Sequence, residues 1–172
     1  PLTFAATANA ALYLGATVRF VDVEPDTGNI DASQVEAAVT DRTKLIVPID
    51  FAGQPADYDA LVALARSRGI GLVADAAHSL GASHRGRPVG TLADASSVAF
   101  HPVKPITTAE GGAVLTDDAT LARRARLFQT HGITKDTNEL LHADEGPWWY
   151  EQHYLGFNYR LTDVQAALGL SQ

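Results

Sequence analysis

The chain has 172 residues, with 13 basic against 20 acidic side chains for a formal net charge of −7, a hydrophobic fraction of 46% and no cysteine or methionine. That apolar content argues against disorder, the absent cysteines exclude disulfides, thiolate metal centres and a thiol nucleophile within the chain, and scattered Lys and Arg leave no basic stripe for nucleic acid. No apolar run approaches the roughly 18 residues of a membrane helix and no signal-type segment opens the chain, so a cytoplasmic location without a membrane partner is expected.

In chain order, short β-branched runs alternate with helical patterns, the rhythm of an α/β fold around a mostly parallel sheet. Ala5 to Leu14 is small and apolar nearly all round and predicts a buried helix. Thr17 to Val21 reads as a strand, and Asp31-Ala32-Ser33 opens an acid-capped helix through Val39. A strand at Lys44 to Ile49 precedes an amphipathic helix from Asp57 to Arg68, with Leu61, Leu64 and Ala65 on one face. Gly71 to Ala74, Ala95 to Phe100 and Ala113 to Leu115 are strands, and Ser83 to Gly90 is a hairpin or tight excursion. Asp118 to Phe128 is helical. From Gly132 to Tyr154 periodicity is lost, which in a compact domain marks a functional or mobile loop. Thr162-Asp163 caps a last helix that is still running near Gln172; with Pro1 in place of an initiator Met, the chain reads as part of a longer protein. No repeat, low-complexity tract or linker divides it, so residues 1–172 are one domain or part of one.

Gly69-Ile-Gly71-Leu-Val-Ala74 formally fits the dinucleotide pattern G-x-G-x-x-A, but it opens a strand where that fingerprint must close one and open a helix. No Walker-type glycine loop is present. The six histidines have no metal-ligand spacing, so no metal site is expected. Asp75 and Lys104 stand out instead. Asp75 follows the apolar strand directly, at the carboxyl edge where open α/β sheets bind ligands; a helix N-cap is the plainer alternative. Lys104 follows another strand end, between Pro102 and Pro105, which pin it on a stiff loop at the same edge; a solvated surface lysine needs no such mount. A desolvated lysine amine forms a Schiff base with an aldehyde, and pyridoxal phosphate held that way needs a carboxylate to keep its ring nitrogen protonated. Spacing alone does not establish that pairing.

The stretches Pro1-Leu-Thr-Phe-Ala-Ala-Thr-Ala-Asn-Ala10, Asp75-Ala-Ala-His-Ser-Leu-Gly-Ala82, His101-Pro-Val-Lys104, Ala109-Glu-Gly-Gly112 and Gly156-Phe-Asn-Tyr-Arg-Leu-Thr-Asp-Val-Gln-Ala-Ala167 resemble, in order and over nearly the whole chain, the DegT/DnrJ/EryC1/StrS family of sugar aminotransferases. Within it, the run from His101 to Gly112 and Trp148-Trp149-Tyr150 ahead of Leu155 are most similar to the subgroup that aminates a UDP-linked sugar in pseudaminic acid biosynthesis. The resemblance implies the large domain of a type I pyridoxal-phosphate transferase, with helices on both faces of its sheet, working as a homodimer with shared active sites. Family members are longer, so residues 1–172 are expected to be a partial large domain, without an N-terminal segment that grips the cofactor phosphate and without the C-terminal small domain.

By the same resemblance Lys104 matches the Schiff-base lysine and Asp75 the partner of the pyridine nitrogen. His78 matches a position beside the cofactor ring, Phe4 the aromatic that stacks on it, and Asn158 an asparagine that reaches the cofactor phosphate of the neighbouring subunit. Read without the family, His78 is a capped or core histidine, Phe4 a core residue and Asn158 a turn residue. Relatives commonly carry a phosphate-binding serine five residues before the lysine; here it is Ala99, with Ser97 on the same side of the strand. The implied reaction is transfer of an amino group, with glutamate as donor, to the 4-keto group of a nucleotide-linked 4-keto-6-deoxy sugar. The rivals are a sugar dehydrase of similar fold, in which histidine replaces the lysine, a non-catalytic nucleotide-sugar-binding or regulatory homologue, and an inactive fragment. Trp148, Trp149 and Tyr150 either stack on a uracil or sugar or pack an interface.

Overall fold

In the computed structural model, which describes residues 1–142 and 145–172, the chain opens with helix α1 (Ala5–Tyr13). It continues through α2 (Ala32–Ala38), β1 (Leu45–Ile46), α3 (Tyr58–Arg68), β2 (Gly71–Asp75), the short pair β3 (Ser83–His84) and β4 (Arg87–Pro88), β5 (Ala95–Ala99) and β6 (Gly112–Leu115). Helix α4 (Ala119–Phe128), β7 (Ile133–Thr134), β8 (Glu151–Gln152) and α5 (Asp163–Leu170) complete it. The central sheet runs β1-β2-β5-β6, with β1, β2 and β5 parallel and β6 antiparallel at the edge.

Polar caps set where the helices begin. Asp31 accepts the Ser33 and Gln34 amides, Asp57 that of Ala60, and Asp118 those of Thr120 and Leu121. Thr162 and Gln165 form a reciprocal capping box that starts α5. Helix α3 stops where Gly69 turns left-handed, at φ 64°. Its buried face, Tyr58, Leu61 and Ala65, packs with Ile46, Leu72, Ala74 and Leu92 to make the core. Full burial of a side chain such as Leu61 stabilises the fold by about 1.5–3 kcal/mol. The hairpin of β3 and β4 turns on Arg85 and Gly86, both at positive φ, as a two-residue turn requires.

Alternation along the strands gives the sheet two unlike faces. Ile46, Leu72, Ala74, Ser96 and Val98 are buried, whereas Asp75, Ser97, Ala99 and Val114 point to the more accessible side.

Two expectations are corrected. Thr17 to Val21 is not a strand: it has no ladder partner among the described residues, and a cleft of about 830 Å³ separates it from the free edge of β1. β-branched composition makes a strand only where a neighbouring chain supplies hydrogen bonds and packing. Nor is α1 a buried helix, since none of its residues is buried and Tyr13 is 83% exposed. Its apolar residues on all sides need a second surface, which no described residue provides.

A candidate site at the carboxyl edge of the sheet

Strands β2 and β5 are parallel neighbours, so their carboxyl ends open on one edge. Asp75 is the last residue of β2 and stands level with Ser97 of β5. No helix follows it, so it is not an N-cap. Instead Oδ1 accepts the Ala77 amide at 3.2 Å, and Oδ2 accepts the Thr7 hydroxyl at 2.6 Å. The carboxylate is therefore held from two sides while half-buried.

Lys104 lies five residues beyond β5 in a turn closed by its own N–H to the His101 carbonyl, 2.9 Å. The loop around it is tied down at several points. Phe100 donates to the Gly111 carbonyl at 2.8 Å, and its own carbonyl accepts the Thr108 amide at 2.9 Å and the Thr107 hydroxyl at 3.0 Å. From α5, Gln165 donates to the Glu110 carbonyl, and Gln172, just beyond the helix, to that of Thr107. Gly112 lets β6 approach β5 closely, because a Cβ there would sit 2.7 Å from the Val98 carbonyl oxygen. Lys104 is half-buried, and among the described residues no carboxylate lies within ion-pair distance of it. Its amine is thus left for other chemistry.

The remaining candidate residues are placed less closely. His78 is exposed in the turn after Asp75, so it is not a core histidine. Phe4, 78% exposed, precedes α1 and accepts the Thr7 amide through its carbonyl, which puts it one helical turn from the Thr7–Asp75 hydrogen bond. Asn158 is exposed, and its backbone bridges Thr130 after α4; nothing described brings it to Asp75. Ala99 and Ser97 do share the Asp75 face, with the Ser97 hydroxyl 3.5 Å from the Ala74 carbonyl.

Thr7 and Asp50 escape a reading by sequence alone. Thr7 is one small residue in an alanine-rich helix, with no local signal. Asp50 is fully buried and gathers the Ala56 amide, the Tyr58 hydroxyl and the Ser79 hydroxyl. Burial first, and then the negative charge of Asp50, drive the Tyr58 pKa far up, so this phenol stays a neutral donor. The available signal was an acid ending the apolar run Leu45 to Ile49, as Asp75 ends β2.

The aperiodic stretch 132–154 has a centre. Glu151 accepts the Leu141 and His142 amides, the Trp149 indole N–H and a hydrogen bond from His153 at 3.0 Å. Trp149 is thus partly buried and pinned, whereas Trp148 is 71% exposed. The His153 hydrogen bond first, then the amides, lower the Glu151 pKa from 4.5 to about 2. A depressed carboxyl pKa stabilises the fold above its unfolded value, and that contribution is lost as the pH falls through the folded one. Comparing wild type with Glu151→Gln by tryptophan fluorescence during denaturation should show a stability gap that is constant near neutrality and closes between pH 4.5 and about 2. A gap independent of pH would refute the assignment.

The chain is similar to known proteins over its whole length. Residues 1–172 match the DegT/DnrJ/EryC1/StrS aminotransferase family. The chain is 45% identical over 175 residues to a UDP-4-amino-4,6-dideoxy-N-acetyl-beta-L-altrosamine transaminase of Campylobacter jejuni, covering 100% of this chain and 44% of that protein. Among solved structures it is similar to Helicobacter pylori PseC, an aminotransferase involved in the biosynthesis of pseudoaminic acid, with a TM-score of 0.90 and 38% identity over 99% of this chain and 43% of that one. It is also similar to Spr1654 of Streptococcus pneumoniae in its PLP form, with a TM-score of 0.84 and 32% identity over 98% of this chain and 46% of that one. The chain spans less than half the length of these relatives.

Proposed function

Because the chain belongs to the DegT/DnrJ/EryC1/StrS aminotransferase family, we propose that it is part of the large, cofactor-binding domain of an enzyme that moves an amino group from an amino acid, glutamate by preference, to the 4-keto group of a UDP-linked 4-keto-6-deoxy sugar. The reading is supported by a carboxylate held by Thr7 and Ala77 at the end of β2 and, on the rigid loop that follows the parallel neighbour β5, a lysine with no ion-pair partner among the described residues. That donor set fits pyridoxal 5'-phosphate, which asks for an amine at its aldehyde and an anion at its ring nitrogen.

When bound, the cofactor supplies an electron sink that acidifies the α-proton of the amino donor. The chain's own residues do the rest. Lys104 would hold the cofactor through its amine, and that amine would be free once the amino donor is bound. Freed, the amine takes the proton from the donor α-carbon as general base, and later delivers a proton to C4 of the sugar as general acid. Asp75 would hold the cofactor's ring nitrogen in its protonated, positive form, while Thr7 fixes the orientation of its carboxylate. His78 and Phe4 would lie beside the cofactor ring, and Asn158 would serve the cofactor phosphate held by a second subunit in a homodimer. Support for the sugar comes from the Campylobacter jejuni transaminase at 45% identity. No helix among the described residues is long and apolar enough to cross a membrane, in keeping with a cytoplasmic enzyme that uses nucleotide-linked substrates.

A panel of UDP-4-keto-6-deoxy-hexoses offered to the holoenzyme with glutamate tests the reading. Stoichiometric 4-amino sugar and 2-oxoglutarate are expected by mass spectrometry from at least one member. Release of water from the sugar without nitrogen gain would assign a dehydrase instead.

A further inference from the structure

We infer that Asp50 is a positioning residue for this site: it clamps both ends of the Asp75–Ser79 turn, and so sets the Asp75 carboxylate and His78 against the cofactor. The inference rests on the pyridoxal phosphate reading for its effect on chemistry, but not for the clamp itself.

The Asp50 main-chain N–H donates to the Asp75 carbonyl at 3.0 Å, which fixes the start of the turn. Its Oδ2 accepts the Ser79 hydroxyl at 2.6 Å, which fixes the end. Between them the Ala76 amide bonds the Ser97 carbonyl at 2.9 Å, and the His78 carbonyl packs on Gly53, where a Cβ would come within 3.1 Å. The other carboxylate oxygen accepts the Tyr58 hydroxyl at 2.8 Å and the Ala56 amide at 3.1 Å, tying the same residue to the start of α3. A fully buried carboxylate is costly, and a polar network of this kind fixes its members tightly only while every partner is satisfied. Asp50 thus links the scaffold helix to the turn that follows Asp75.

Of the two hydroxyl partners only Ser79 lies in the turn, whereas Tyr58 lies on α3, and that difference is what the experiment reads. Asp50→Ala would strand three donors at once, so Ser79→Ala and Tyr58→Phe are the informative variants, each removing one hydroxyl from the same carboxylate. Both should lower the thermal midpoint. In the pyridoxal-phosphate-loaded protein, Ser79→Ala should move the pH midpoint of the visible cofactor band by about one unit, and Tyr58→Phe should leave it in place. In the cofactor-free protein, Ser79→Ala should lose hydrogen-exchange protection at Ala76 and Ser79, and Tyr58→Phe should keep it. Equal behaviour of the two variants in exchange overturns the clamp. Distinct exchange with unmoved midpoints overturns its role in the chemistry. If the wild type shows no visible band, the cofactor reading fails, and exchange alone still decides the clamp.

Discussion

Replacing Lys104 with alanine is expected to lower the rate of amino transfer by at least about 10²–10⁴-fold, the span a positioned general acid–base contributes, and to abolish covalent retention of pyridoxal phosphate. In the proposed reading two functions are lost together, because one amine would serve as covalent anchor and as proton carrier. The substitution leaves the fold intact on physical grounds. Lys104 is half-buried, its turn is closed by a backbone hydrogen bond to His101, and the loop is tied down through Phe100, Thr107 and Glu110 rather than through the lysine side chain. Borohydride reduction followed by peptide mass mapping should find the pyridoxyl mass on Lys104 in the wild type and nowhere in the variant. Lys104→Arg should fail equally, since a guanidinium keeps the charge but stays protonated and cannot act as nucleophile or base. Added small primary amines should restore part of the proton transfer to the alanine variant without restoring the anchor. A Lys104→Ala enzyme that transfers nitrogen at the wild-type rate would end the proposal.

Much of this arrangement was legible because it is encoded locally. The caps at Asp31, Asp57, Asp118 and Thr162 act on amides within three residues, so their spacing alone locates four helices. Strand β2 declares itself as an apolar run and β5 as a run of small residues around Val98, and their parallel order makes the carboxyl ends that carry Asp75 and lead into the Lys104 loop open on one edge. What failed depends on partners distant in sequence. Among the described residues, Thr17 to Val21 has strand composition but no neighbour to bond, and α1 has an apolar surface but nothing that buries it. The same limit hid the two residues that hold Asp75. Thr7 reaches it across 68 positions of sequence, and Asp50 grips Ser79 across 29. A contact of that span leaves no periodic trace, whereas a cap or a hairpin turn does.

Asp75→Asn should separate binding from chemistry in a way that Lys104→Ala cannot. Asparagine has nearly the same shape, and with its carbonyl oxygen on the Ala77 amide its NH2 can donate to the Thr7 hydroxyl oxygen, so the strand edge and its link to α1 should persist. What disappears is the negative charge. A neutral amide does not hold the ring nitrogen positive, so the electron sink weakens while the aldehyde at the far end of the cofactor is untouched. The expected result is a fall in kcat of about 10²–10³-fold, the cost typical of removing one preorganised electrostatic partner of a developing charge. Borohydride should still label Lys104 to the wild-type extent. Thr7→Val is the companion measurement: the carboxylate keeps its charge and its Ala77 amide but loses its 2.6 Å donor, so the loss should be intermediate. If Asp75→Asn turned over at the wild-type rate, the carboxylate would be a structural end to β2 and the ring nitrogen would need another partner.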